Sequence, residues 1–451
     1  MKKRRLNITT THVILFSFLA AILLGTALLC LPISSSDGRS APFVDALFTA
    51  TTSTCVTGLV TVPTVSYWST FGHVVILGLI QIGGLGVITV VSGFMLSMHR
   101  RMKLTDSLLL QDAFNLNTLA GLGRFVRKVI KGTFIVEGLG ALLYMTVFIP
   151  EFGAKGIWIS VFTSISAFCN AGIDVIAENS LCNYAVNPVI NLVTCALIVI
   201  GGIGFIVWWD IARVLRKIRR KKGFFKCLTL HSKITLVSTG VLTIFGAALI
   251  FVFEYNNPMT LREMPLFDKI QASLFQSVTC RTAGFATVAQ ENFTDSSAVV
   301  SVVLMFIGGS PVGTAGGVKT VTVAVLVATA VSAVKMQNEV SVFNRTLSKY
   351  AIQKAVGVVC TSFSIVLVST VLLAVVTDAS IMDIMYETVS ATATVGLSRN
   401  LTTTFNTGAK FIIIAAMYFG RVGPISLAFA FRVKKVNKNI IKDPTEEISV
   451  G

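Results

Sequence analysis

The residues of this chain best placed to do chemistry would do it with their backbone: Thr392, Ala393, Thr394, Val395 and Gly396. In a Thr-x-Val-Gly strand set between a short helix and a long apolar run, successive carbonyls can replace the water shell of a dehydrated monovalent cation. One copy alone also reads as a solvent-facing turn. Three degenerate relatives shift the balance: Thr54-Cys55-Val56-Thr57-Gly58, Phe168-Cys169-Asn170-Ala171-Gly172 and Cys280-Arg281-Thr282-Ala283-Gly284. The four final glycines are 114, 112 and 112 residues apart in chain order. Each precedes a large apolar residue (Leu59, Ile173, Phe285, Leu397), and 10 positions before each comes Phe48, Phe162, Leu274 or Tyr386. Glycine suits such a strand because it reaches positive φ and can turn a carbonyl toward an ion. The expected ion-facing carbonyls are those of Thr57, Gly58, Ala171, Gly172, Ala283, Gly284, Val395 and Gly396.

These strands need a scaffold, and composition says where it sits. The 451-residue chain is 53% hydrophobic and only 13% charged, against about 25% charged in soluble domains. It belongs in lipid. A net charge of +17 would suggest nucleic acid in a soluble protein, but the basic residues lie between apolar runs. That placement is membrane topology, and no nucleic-acid partner is expected. The eight cysteines show no metal-ligand spacing. Cys30, Cys195 and Cys360 lie in apolar runs and read as small buried side chains. Basic Lys2 to Arg5 leads into a run long enough to span, so a cleavable signal peptide is not expected.

Taken in order, His12 to Ile33 can cross a hydrocarbon core of about 30 Å, whereas Pro42 to Ser53 is too short and reads as re-entrant. A second span runs from about Gly72 to Met98 and ends in basic His99 to Lys103. The pattern recurs, with short helices at Ile157 to Ala167, Asp268 to Thr279 and Ile381 to Ala391. It has first spans from Ile130, at Ile234 to Phe253 and at Gly357 to Val376. The last span ends at Phe431. The expected fold is an all-α polytopic membrane protein. Four tandem repeats of span, re-entrant pore helix and span are arranged pseudo-fourfold around one pore. Their boundaries fall at 1–103, 104–228, 229–340 and 341–451. Basic segments between repeats place both termini in the cytoplasm by the positive-inside rule. The short helices then enter from outside and aim their partially negative C-termini at the centre, which favours a cation. Acidic residues on the outer segments, among them Asp45, Asp174, Glu254 and Asp383, would concentrate cations at the mouth.

Beneath the strands, one repeat differs. Gly308, Gly309, Ser310, Pro311, Val312, Gly313, Thr314, Ala315, Gly316, Gly317, Val318, Lys319 and Thr320 cannot continue a stable helix. The counterparts Gly83-Gly84-Leu85-Gly86, Gly201-Gly202-Ile203-Gly204 and Gly420-Arg421-Val422-Gly423 are expected to be milder interruptions. A nucleotide-binding P-loop is rejected because Val318 separates Gly317 from Lys319. A flexible segment inside the strands reads as a gate, with a helix kink as the plainer alternative. Arg421, charged within a span, is expected to face a cavity below the strands as an electrostatic barrier. Arg281 is expected to point away from the pore, toward an acidic partner such as Glu387.

With Ser277 to Phe285, the stretch from Gly308 to Thr320 and four spaced glycines in view, residues 10–435 resemble the Trk/Ktr/HKT superfamily of potassium transporters. The likeness is greatest to bacterial KtrB-type membrane subunits. The resemblance implies a potassium filter where glycine holds all four positions, as Gly58, Gly172, Gly284 and Gly396 do; sodium-preferring plant relatives often carry serine at the first. It implies that Gly308 to Thr320 and Arg421 restrict the pore beneath the filter. It further implies a homodimer in the bacterial plasma membrane, a cytosolic nucleotide-binding RCK ring, and uptake stimulated by sodium. No organic cofactor is expected in this chain. A secondary transporter with broken helices would call for inverted repeats and paired breaks, and a pore carrying sodium as well as potassium stays open. An intramembrane enzyme would need a polar constellation within the spans, yet His12, His73, His99 and His231 lie at span ends.

Overall fold

The computed structural model describes residues 10–87, 89–92, 122–217 and 223–423. Lys2 to Arg5, His99 to Lys103, the first repeat boundary, part of the basic run before Lys226 and the segment beyond Gly423 fall outside them.

The first block holds α1 (Thr10–Leu29), α2 (Phe43–Cys55), the single turn α3 (Thr64–Tyr67) and α4 (Thr70–Leu85). The second holds α5 (Leu122–Phe152), α6 (Lys155–Cys169), α7 (Pro188–Gly202) and α8 (Phe205–Lys217), followed by the turn α9 (Phe224–Cys227). The third holds α10 (Leu230–Glu254), α11 (Leu266–Thr279), α12 (Asp295–Phe306) and α13 (Thr320–Val334). A small hairpin pairs β1 (Ser341–Val342) with β2 (Arg345–Thr346) and leads to α14 (Lys349–Val376), α15 (Ile381–Ala393) and α16 (Thr407–Val422).

Among the described residues, α1, α5, α10 and α14 are long and apolar enough to cross a bilayer. Their outer faces expose large apolar side chains, such as Leu139 and Leu142 on α5 and Ile244 and Phe245 on α10. Cys360 on α14 is exposed too, not buried as its apolar surroundings suggest. Local chemistry sets the starts of the second helices. Ser69, Asn187, Thr294 and Asn406 each accept a hydrogen bond from a first-turn amide, which satisfies donors the helix itself leaves open.

Where those helices stop departs from expectation. The second span of block one does not run unbroken to Met98; α4 ends at Leu85, Gly86 takes φ 84°, and helix is seen again at Val87 and from Thr89 to Ser92. Gly204 and Gly423 likewise take φ 91° and 93°. α7 and α8 meet at 96°, so this interruption is a full break rather than a mild one. Residues with a Cβ rarely adopt that backbone conformation, so glycine sets the stop. In block three, α12 ends at Phe306 and no helix resumes before Thr320.

The helices close into a ring. Each short helix packs on its own block's first helix and on the second helix of the block before: α6 on α4, α11 on α7, α15 on α12, with α2 closing on α16. Within blocks one, two and four, glycine also lets the second helix close on its own short helix. A Cβ on Gly83, Gly201 or Gly420 would overlap the carbonyl of Thr54, Phe168 or Thr392, at the C-terminal ends of α2, α6 and α15.

Candidate ion-binding site

The four strands share one backbone design. Val56, Asn170, Thr282 and Thr394 are left-handed at φ 56°, 60°, 70° and 54°. Two residues later, Gly58, Gly172, Gly284 and Gly396 take φ 99°, 64°, 84° and 96°. A left-handed non-glycine residue is strained, and one in each strand indicates that the surrounding packing imposes it. Part of that restraint is visible. The amides of Thr57, Ala171 and Val395 each bond the carbonyl of Thr52, Ser166 or Ser390 at 2.8 Å. Those same side chains reach onward: Gly58 N donates to Thr52 Oγ1 at 2.9 Å, Gly396 N to Ser390 Oγ at 3.0 Å, and Ile173 N to Ser166 Oγ at 3.1 Å.

The glycines meet in a closed ring that follows chain order. A Cβ on Gly172 would lie 2.5 Å from Ala283 O, and one on Gly284 would lie 2.5 Å from Val395 O. One on Gly396 would overlap Thr57 O, and one on Gly58 would overlap Ala171 O. The structure therefore brings all four predicted glycines and their preceding carbonyls together. The hydroxyls of Thr54, Thr57 and Thr394 are buried and have no partner among the described residues.

Block three is built one residue shorter. Here Ala283 N bonds Thr279 O, five positions before the glycine's own place, where the other blocks reach back six. Thr279 Oγ1 donates to Phe285 O, so it fills the place of Thr52, Ser166 and Ser390. This overturns the alignment of Leu274 with Phe48, Phe162 and Tyr386. Those three are 0% exposed, Leu274 is 42% exposed, and Phe275 at 1% is the true counterpart. A constant offset from the glycine could not reveal a deletion lying between helix and strand.

The segment Ile307 to Lys319 lies against the strands and is tied down, not loose. Ser310 N and Thr314 N donate to Gly202 O and Gly201 O, and Phe205 N donates back to Val312 O. Thr314 Oγ1 bonds Phe168 O at 3.0 Å, and Gly316 N bonds Thr282 Oγ1 at 3.0 Å. Gly316 also sits so close to Thr394 and Ala393 that a Cβ would overlap. Lys319 turns its ammonium back onto Ala315 O at 2.7 Å. Arg421 completes the layer by donating to Thr314 O at 2.7 Å and to Gly83 O at 2.6 Å. Its guanidinium thus ties the third-block segment to the first-block break, in place of projecting free below the strands.

Arg281 does point away from the ring, but not to Glu387. It reaches Thr239 and Thr243 on α10 at 3.4 to 3.5 Å, whereas Glu387 accepts from Thr402. The outer acids are also less free than expected. Asp45 pairs with Lys410 at 2.6 Å and Asp383 with Arg399 at 2.8 Å. Glu254 is buried, accepting from Asn257, Thr260 and Thr294. Asp174, on the loop just past Gly172, keeps no ion pair among the described residues, and burial pushes its carboxyl up to about 6. Sequence reading missed a buried network behind strands three and four: Gln276 Nε2 and Tyr386 Oη both donate to Gln290 Oε1, at 2.6 and 2.9 Å. Gln276, an amide inside the apolar run of α11, was the available signal. Glu137 on α5, hydrogen-bonded by Gln81, was missed likewise, though a lone carboxylate in a spanning run is a visible signal.

Long apolar helices around a ring of glycine strands define a polytopic helical membrane protein with backbone carbonyls gathered at its centre. Residues 3–442 match the TrkH family model, described as a cation transport protein, and the chain belongs to that family. It is 36% identical to the Ktr system potassium uptake protein B of Bacillus subtilis, over 98% of this chain and 97% of that one. It is also 36% identical to the potassium/sodium uptake protein NtpJ of Enterococcus hirae, over 100% of this chain and 99% of that one. The crystal structure of the potassium transporter TrkH from Vibrio parahaemolyticus matches at a TM-score of 0.77 and 15% identity, covering 96% of this chain and 87% of that one. That match is a likeness of fold.

Proposed function

We propose that this chain is the potassium-translocating subunit of a bacterial Ktr/Trk-type uptake system. In this reading each block is a span, a pore helix and a span, and the four strands are the selectivity filter. Dehydrated potassium passes the carbonyls of Thr57, Gly58, Ala171, Gly172, Ala283, Gly284, Val395 and Gly396, while Gly308 to Thr320 with Arg421 forms the gate beneath. The observation that carries it is the closed ring in which each glycine abuts the next block's carbonyl. Short helices ending in the strands add the negative ends of their dipoles, and unpartnered threonine hydroxyls beside the strands suit an ion or its water. The relatives named as potassium uptake proteins support the choice of ion. Sodium alongside potassium is the second reading, favoured by the similarity to a potassium/sodium uptake protein. Assembly as a homodimer on a cytosolic nucleotide-binding ring, stimulation by sodium and cytoplasmic termini complete the proposal.

Growth on low potassium of a bacterium lacking its own uptake systems tests it, with this chain expressed with and without candidate cytosolic partners. Rescue that Gly396→Asp abolishes at equal membrane levels is the expected result. Well-inserted chain that never rescues with any partner overturns it.

A further inference from the structure

A basic corner outside the ring has the chemistry of a lipid site. At 31 residues, α5 runs about 46 Å, well beyond a hydrocarbon core of about 30 Å. One face of it carries exposed Ile135, Leu139 and Leu142. Continuing that face toward the N-terminus at helical spacing come Lys131, Lys128 and Arg124, all exposed, with exposed Arg127 beside them. The cations therefore sit at the end of an apolar stripe, at headgroup depth if the stripe faces acyl chains. Among the described residues none of the four is in an ion pair.

The break at Gly204 supplies the second wall. α8 leaves α7 at 96° and sets Trp208 and Trp209 against α5. Gly132 on α5 receives the Trp208 and Trp209 rings, since a Cβ there would lie 3.3 Å from Trp208 and 3.8 Å from Trp209. Lys128 Nζ lies 5.5 Å from the centre of the Trp209 ring. Tryptophan beside lysine and arginine at the end of a spanning helix matches the interfacial zone of a bilayer. Arg216 on α8 is exposed, and Asp210, the acid on this helix, is turned inward onto Thr229 and Arg213.

We propose that the corner between α5 and α8 binds the phosphate of an anionic phospholipid, held by Arg124, Arg127 and Lys128 over the Trp209 ring. Continuity with the apolar stripe selects a lipid over a soluble phosphate, because the acyl chains have a surface to follow. The site adjoins the central machinery through α8: its first amide, Phe205 N, bonds Val312 O in the third-block segment at 2.9 Å. Binding is independent of the proposed transport; only an effect of lipid on flux rests on that reading.

The test uses full-length protein reconstituted in vesicles of phosphatidylcholine alone or mixed with phosphatidylglycerol, then extracted to count retained lipid by native mass spectrometry. Selective retention of phosphatidylglycerol, weakening as salt rises, is expected. Each surface cation contributes about fivefold in lipid affinity, so Arg124→Gln with Lys128→Gln weakens retention about 25-fold. Lys155→Gln, an exposed charge on another helix, leaves it unchanged. Retention indifferent to headgroup or salt overturns the proposal whether or not the double variant folds. So does displacement of the lipid by soluble glycerophosphate at concentrations matching the lipid, or equal retention by the folded double variant.

Discussion

The glycine ring and the layer directly beneath it are a few ångströms apart and are built on different rules. In the ring, four blocks contribute the same conformation in turn, a left-handed residue and then a glycine with φ between 64° and 99°. In the layer below, three blocks contribute a glycine seated against a neighbouring carbonyl, whereas the third contributes a folded-over segment hydrogen-bonded to block two and, through Arg421, to blocks four and one. Coordination of a spherical ion rewards equivalence, since each carbonyl sees the same charge. Control of passage rewards a single element with two arrangements, which can be biased by a few hydrogen bonds. Under the proposed function, similar sequence repeats would serve both by keeping the strands alike and letting one helix lapse.

That contrast can be broken or sharpened experimentally. The largest effect tests the register of block three within the ring. Phe275→Ala deletes a buried aromatic and is expected to cost about 3–5 kcal/mol, whereas Leu274→Ala on the exposed side shifts stability by about 0.5 kcal/mol or less. Thermal unfolding of purified protein reads both, and the reverse order restores the constant-offset alignment. Next, Arg421→Gln removes charge-assisted bonds to Thr314 and Gly83, about 1.5–3 kcal/mol each. If the third-block segment obstructs passage, initial rates of potassium uptake rise about tenfold or more; an unchanged rate in correctly inserted protein makes that layer structural.

Smaller effects probe the ring itself. Gly58→Ser places a Cβ against Ala171 O and 3.2 Å from Gly396 Cα. Discrimination of potassium over sodium should fall about tenfold, equivalent to 1.4 kcal/mol of differential affinity. An unaltered ratio of uptake rates would take Gly58 out of the ion path. The smallest concerns Asp174, whose carboxyl is pushed up to about 6 by burial, an effect only partly offset by bonds from Ser180, Ile176 and Ala177. Above pH 6 it is charged, and as pH falls through about 6 it gains a proton; if it lies at the outer mouth of the proposed pore, it then stops attracting cations. Uptake should then drop by no more than about fivefold, the weight of one charge near an ion in water. Asp174→Asn should show the lower rate at both pH values and lose the step.

Much of this was legible because it is local. Four strands could be found from Gly58, Gly172, Gly284 and Gly396 because positive φ is a single-residue property with a single-residue solution. The start of the first short helix was readable at Pro42, and the third-block lapse from Pro311 and its glycines. Other features were not. The sharp break at Gly204 looks in sequence like the runs at Gly86 and Gly423, and only the 96° turn from α7 into α8 shows how far it goes. Glu387 looked like the counter-charge to Arg281 until Thr402 proved to hold it.

By itself the sequence determined that this is a lipid-embedded chain of four related blocks, each with a glycine-ended strand that its neighbours could complete. Hydrophobic run length, fixed spacing and backbone permissiveness belong to the chain and need no partner. Only the tertiary structure decided that the four glycines form one ring in chain order. It likewise decided that block three is a residue short, and that Arg421 ties the central segment to Gly83 across 338 residues. Those are contacts between distant segments, and their geometry comes from how helices close around a common centre rather than from any local preference.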